Sequence, residues 1–160
     1  MNLIDETAEI ADDAQLGPFA VVGANVRIGA GTRIGAHVVI HDGTVLGAGC
    51  EVQDGAVLGK SPKLARSSTA STAPPAPAEI ADGAVICCNA IVFAGARIGA
   101  GAIIGDQAYV RERTEIGAGT VIGRGSTVDN DVRIGARTKI QTDVYVTAYS
   151  TVDDDVFVGP

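Results

Sequence analysis

Large side chains are scarce in this sequence. Its 160 residues include no tryptophan, three phenylalanines and three tyrosines, which excludes a thick interior filled by aromatic rings. Histidine is rarer still: His37 and His41 are the only two, too few for a three-histidine zinc site, and no other metal-ligand spacing occurs, so no metal is expected. Three cysteines do not lay out a disulfide framework, and a reduced, cytoplasmic protein is the expectation. No apolar run approaches membrane-spanning length and no signal peptide opens the chain, so no membrane is expected. Cations are outnumbered, 12 Lys and Arg against 19 Asp and Glu, for a net charge of −7. Nucleic acid is not an expected partner, because it would need a basic face.

What the sequence has instead is a repeat. Stepping by six from Ile116 finds Ile or Val at every position from Ile80 to Val158. In a second phase the same step runs through aliphatics from Ile4 to Leu58, for twenty-four hexads in all. Four residues after each aliphatic the side chain is small or β-branched, as at Ala20, Thr32, Cys50, Ala90 and Ser126. Twelve of the twenty-four aliphatics are followed directly by glycine. A helix would scatter a six-residue period around its cylinder. On a strand, the small residue and the next aliphatic are two apart and share one face. The intervening Gly, Asn and Asp residues supply bends, several at positive φ. Short strands with a bend every six residues close into a three-sided coil of eighteen residues. Eight such coils make a single all-β domain over 1–160, roughly 35–40 Å long.

The repeat is interrupted once. "KSPKLARSSTASTAPPAPAE", residues 60–79, is rich in Ser, Thr, Ala and Pro and cannot be core. The domain therefore divides into first coils (1–59), an inserted loop (60–79) and remaining coils (80–160), with the loop leaving one corner. A long loop on a repeat scaffold is either a disordered excursion or a binding element. This one is basic on an acidic protein, the character that phosphates of a carrier or a nucleotide need.

Residues eighteen apart should stack on successive coils. Arg33 then falls beside Glu51, Arg111 beside Asp129, Arg113 beside Asp131, Arg137 beside Asp155 and Asp106 beside Arg124, while Arg97, Glu115 and Arg133 form one column. These read as cross-coil pairs on a solvated surface. Arg27, Lys60, Lys63, Arg66 and Lys139 are left without such a partner. If the coil resumes on the next side after the loop, His41, Gly59, Phe93, Arg111, Asp129 and Thr147 also stack, with His41 below the root of the loop and Phe93 above it. A general base needs a pKa near the working pH and reach to its substrate, and His41 is the better placed of the two histidines. The candidate binding set is Lys60, Lys63, Arg66, Asn89, Phe93, Arg111 and Lys139.

The hexads resemble those of the hexapeptide-repeat acyltransferases, and the resemblance implies a left-handed parallel β-helix. The opening "IDETAEIADDAQLGPFAVVGANVRIGAGTRIG", with a loop after "VLGKSPKL", is similar to UDP-N-acetylglucosamine O-acyltransferases. The closing "VDNDVRIGARTKIQTDVYVTAYSTVDDDVFVGP" is more similar to bacterial nucleotide-sugar N-acetyltransferases. The family implies a homotrimer of parallel prisms with active sites in the inter-subunit clefts. Acetyl-CoA or another acyl-CoA, or an acyl carrier protein, would be the donor. An amine or hydroxyl of a sugar nucleotide would attack the thioester, helped by a histidine base and a backbone N–H for the oxyanion. The position matching the catalytic histidine of the O-acyltransferases is Phe93 here. The chain stops at "DDVFVGP", in mid-hexad, where the N-acetyltransferases continue, so either further coils or a covering chain are expected there. Three classes stay open: an acyltransferase on a nucleotide-linked sugar, a non-catalytic or truncated trimeric binding scaffold, and a structural solenoid.

Overall fold

The computed structural model describes residues 1–160 and contains strands and turns but no helix. Twenty-four short strands run from β1 (Leu3–Ile4) to β24 (Phe157–Val158). Every third strand joins the same parallel sheet, which gives three eight-stranded faces and eight coils. The first face holds β1, β4 (Val21–Val22), β7 (Val39–Ile40), β10 (Val57–Lys60), β13 (Ile91–Phe93), β16 (Tyr109–Val110), β19 (Thr127–Val128) and β22 (Tyr145–Val146). The molecule is a left-handed parallel β-helix.

The coil is eighteen residues because the ladder closes on that step. Leu3 pairs with Val21, Ile98 with Ile116 and Ile140 with Val158. Each strand's last aliphatic points inward, and those from Val22 to Val146 are buried in one core that runs past the insertion on both sides. The small residue preceding the strand fills the remaining space. Where it is polar it is paired within the wall: the Thr120 hydroxyl donates to the Gly135 carbonyl at 2.6 Å and accepts from the Thr138 amide at 3.1 Å. Thr32 and Ser126 repeat the arrangement. Such a hydroxyl meets the requirement that a buried polar group be hydrogen-bonded, which is why Thr and Ser alternate freely with Ala at this position.

Across the insertion the helix resumes on the next face. Ile80 of β11 (Glu79–Ile80) pairs with Leu46 on one side and Ile98 on the other. The insertion therefore alters a corner and not the prism. From Phe19 onward, turn position three, just before the small residue, is left-handed in every regular turn. Asn25, Asn89, Asp131 and Asp143 have φ of 55–57°, and glycine takes the same position at residues 31, 49, 83, 101 and 119.

Candidate functional site

The three corners differ in chemistry. After the second face the first turn residue of the middle coils is Gly29, Gly47, Ala81, Gly99, Gly117 and Gly135. After the first face it is His41, Phe93, Arg111 and Asp129, with the loop inserted between His41 and Phe93. Reactive and aromatic side chains gather at this first corner, and also at the third, where Phe19 stacks on His37 at 5.0 Å and Cys87 and Cys88 are free thiols; only the first carries the loop.

Its construction departs from simple stacking at the loop root. Leu58 pairs with Val92, but Gly59 bulges and Lys60 takes the place opposite Phe93. Gly59 has a φ of 74°, and a side chain there would run into Thr44 and His41, so glycine is required for the bulge. The expected column of His41, Gly59 and Phe93 is corrected accordingly. The Lys60 ammonium lies 5.3 Å from the centre of the Phe93 ring, and Phe93 meets Tyr109 edge-on at 4.9 Å. Phe93 is only 2 % exposed. It forms the floor of the corner and supports Lys60 from below; the ring itself is not an open binding surface. The Tyr109 phenol is pushed up by burial.

The loop leaves from Lys60, whose carbonyl accepts the Ala94 amide at 3.0 Å. Its return limb lies against the coils, with Pro75 on Gly95 and Pro77 on Gly43, where neither glycine could carry a side chain. Lys60, Lys63 and Arg66 are exposed, and none joins any of the molecule's ion pairs. His41 is also exposed. Its backbone is fixed by its amide on Leu58 and by the Thr44 hydroxyl on its carbonyl, so the imidazole projects from an anchored position beside Gly59.

Above the loop the corner becomes an ionic network in which Arg113 Nη1 alone is buried without a partner. Arg111 donates Nε and Nη2 to the Glu112 carboxylate at 3.1 and 3.0 Å, and Nη1 to Asp129 at 2.7 Å. Tyr145 donates its hydroxyl to the other oxygen of Asp129 at 2.8 Å. Arg113 grips Asp131 with Nε and Nη2 at 2.8 and 2.9 Å, and Asn130 donates to the same carboxylate at 2.7 Å. Burial pushes the Asp129 carboxyl up, but hydrogen bonds from Tyr145, the Asn130 amide and Arg111 outweigh it and hold the group below the usual range. Burial likewise opposes the charge on Arg111, and Glu112 and Asp129 together overcome it. Arg111 thus has its guanidinium committed to two carboxylates. Glu112 is completely buried. Sequence reasoning passed over it, because a charged bend residue ordinarily reads as surface; the one available signal was its place between two arginines.

The structure brings His41, Lys60, Phe93 and Arg111 to one corner, with Lys63 and Arg66 on the loop that leaves from it. It sets two candidates apart: Asn89 lies at the corner before the first face, and Lys139 on the third face in β21 (Lys139–Ile140). Of the stacked charges, Arg33–Glu51, Arg111–Asp129, Arg113–Asp131 and Arg137–Asp155 form at 2.7–2.8 Å. Arg27, expected to lack a stacked acid, stands opposite Glu9. The pairing of Asp106 with Arg124 does not form. Asp106 accepts the Cys88 amide, capping the turn of the coil below, and Arg124 reaches Asp143 at 3.5 Å. No group of three His, Cys, Asp or Glu residues is placed to hold a metal ion. No helix is long and apolar enough to cross a membrane.

Fold and repeat together define a left-handed β-helix built from six-residue units. The family model for the bacterial transferase hexapeptide (six repeats) matches residues 7–42 and 95–130, just under half of the chain. Solved structures share the fold. A putative acetyltransferase from Bacillus cereus is similar at 24 % identity and a TM-score of 0.69, over 86 % of this chain and 75 % of that one. A UDP-N-acetylglucosamine acyltransferase from Francisella novicida is similar at 20 % identity and a TM-score of 0.66, over 94 % of this chain. The corresponding O-acyltransferase from Moraxella catarrhalis gives 22 % and 0.57, over 87 % of this chain. This chain spans 60 % of the Francisella protein's length and 65 % of the Moraxella protein's. No curated protein sequence matches it.

Proposed function

We propose that this protein transfers an acetyl group from acetyl-CoA to an amine or hydroxyl of a nucleotide-linked sugar, in clefts between the subunits of a cytoplasmic homotrimer. The observation that carries this reading is the set of three exposed, unpaired cations, Lys60, Lys63 and Arg66, on a loop rooted next to the corner of the exposed His41 on an otherwise acidic protein. The cations would hold the phosphates of the donor. His41 would take a proton from the acceptor as its nitrogen or oxygen attacks the thioester carbonyl. Collapse of the tetrahedral intermediate then breaks the C–S bond, and the departing thiolate takes up the proton. The outer column of the first face is apolar from Val21 through Val39, Val57 and Ile91 to Tyr109, which suits a subunit contact bordering this corner. Three free thiols fit a reducing compartment.

A second reading, a binding scaffold without catalysis, is favoured by one feature: no carboxylate of the corner network orients the His41 ring, since Asp129 and Asp131 are bound to arginines and Asp42 caps the Ala24 amide. Calorimetry with acetyl-CoA and mass determination in the same buffer test both. Saturable binding by a trimer, followed by turnover of a sugar nucleotide that His41→Gln abolishes without loss of donor binding, establishes the transferase. Donor binding with no turnover establishes the scaffold. A trimer that binds no donor overturns both assignments of the corner.

A further inference from the structure

The second face carries a charge pattern that the corner site does not use. Its outward column, counted by coil from the fourth to the seventh, is Glu79, Arg97, Glu115 and Arg133, in strict alternation. Within the column these groups are poorly matched. Arg97 is 3.6 Å from Glu79 and from Glu115, and Arg133 is 4.0 Å from Glu115, against 2.7–2.8 Å for the pairs of the first corner. All four side chains are more than half exposed. They flank a groove of about 1050 Å³. Beside it, Gly99, Gly117 and Gly135 leave bare backbone, because the next coil lies too close for a side chain there. The charges therefore stand beside a trough that another molecule's side chains can enter.

The order of the charges selects what fits. If two copies lie face to face with their axes parallel and level, each residue meets its own counterpart and like charge faces like. If the axes are antiparallel, a two-fold axis between the fifth and sixth coils sets Arg97 against Glu115 of the second copy and Glu79 against Arg133 of the second copy. Val45, in the third coil, then meets Thr151, in the eighth. Every charge from Glu79 to Arg133 gains an opposite partner, and symmetry repeats each pair; Glu9 and Arg27, on the first two coils of the same column, lie beyond the contact. This is the self-complementarity that a closed two-fold contact requires. A parallel pair shifted by one coil also sets opposite charges together, but it leaves one charge at each end unmet and has no closing symmetry.

We propose that the second face is an antiparallel two-fold contact between copies of this chain, held by Arg97–Glu115 and Glu79–Arg133 pairs across the axis. The contact covers about four coils, roughly 20 Å of the prism, and its attraction is electrostatic, so it forms at low ionic strength and is screened by salt. It stands apart from the acyl-transfer reading, since the second face contributes no residue to the corner described above.

Sedimentation equilibrium on the full chain tests it, at about 10 mM and about 1 M salt, where the screening length falls from about 30 Å to about 3 Å. The mass is expected to halve between the two conditions, whether the salt-resistant unit is one chain or three, so the test does not depend on the trimer. Arg97→Glu sets carboxylate against carboxylate twice across the axis and is expected to abolish the low-salt doubling. The double variant Arg97→Glu/Glu115→Arg is expected to restore it, because the reordered column is again complementary under the same two-fold axis. That double variant is not complementary under a one-coil parallel shift. All these side chains are exposed, and unchanged circular dichroism will show that the variants fold. An equal mass at both salt concentrations overturns the proposal, as does a low-salt doubling that survives Arg97→Glu or that the double variant fails to restore.

Discussion

At the residue scale the prism tolerates sequence change where a position is defined by backbone shape alone. Gly101 has a φ of 64° and open space around the place a side chain would occupy. Asn or Asp takes the equivalent turn position at residues 25, 89, 131 and 143, since their short polar side chains tolerate the left-handed region. Gly101→Asn should therefore leave the urea midpoint nearly unchanged, whereas the β-branched Gly101→Val should cost about 1–2 kcal/mol. The ionic corner behaves differently, because there the side chain is the structure. Hydrogen bonds from Arg113 hold the Asp131 carboxyl below its usual range, with burial opposing. A carboxyl depressed in the folded state contributes stability that is present above the unfolded value, about pH 4, and is lost as pH falls through the lower folded value. Asp131→Asn should lower stability at pH 6 by about 1–2 kcal/mol. Its deficit should shrink in acid, as the wild type loses the same interaction. Urea titrations of both proteins between pH 6 and pH 2.5 check this; a deficit constant with pH would show that Asp131 acts through packing alone.

At the scale of the element, the strand and the loop obey separate constraints, and this decides what could be read in advance. Each strand needs one aliphatic and one small residue on its inward side, repeated without exception from Ile80 to Val158. A pattern that strict, with a period no helix can use, specifies faces, coil length and the position of the insertion. The bulge at Gly59 was not legible, because glycine follows half of the aliphatics and nothing distinguishes the one that shifts register. The burial of Phe93 and Glu112 was hidden for a related reason: it depends on how the loop's two limbs and the arginines close over the corner, which the repeat does not encode. Arg124 likewise had two acids within reach, and turn capping by Asp106 settled the choice. The independence of loop and prism is itself testable. Ile80 is in register with Leu46 and Ile98 despite the insertion, so replacing residues 61–77 by one glycine restores a six-residue step and sets glycine at the left-handed turn position. That shortened chain should keep its circular dichroism spectrum and its oligomeric mass while losing acetyl-CoA binding. Loss of the β-sheet signal would mean that the loop's return limb is needed to hold the coils beneath it.

At the scale of the whole molecule, a net charge of −7 repels an anionic donor, and the field is not uniform. Most arginines are neutralised by carboxylates in the same column, so the potential around the prism is set by the charges left over. At the first corner those are Lys60, Lys63 and Arg66, carried on the inserted loop and its root. If they attract and hold the donor's phosphates, its affinity must fall as salt screens them, and the salt dependence must belong to these residues and not to cations elsewhere. The double variant Lys63→Ala/Arg66→Ala should weaken acetyl-CoA binding about tenfold at low salt, equivalent to about 1.4 kcal/mol, and should flatten the dependence of affinity on ionic strength. Arg27→Ala removes a cation from the second face, where it stands opposite Glu9, and should change neither. Calorimetric titrations of the three proteins at several salt concentrations measure both quantities. Equal salt slopes in all three would place the donor's phosphates somewhere other than the loop, and the first corner would then keep His41 and its aromatic floor without a role in holding acyl-CoA.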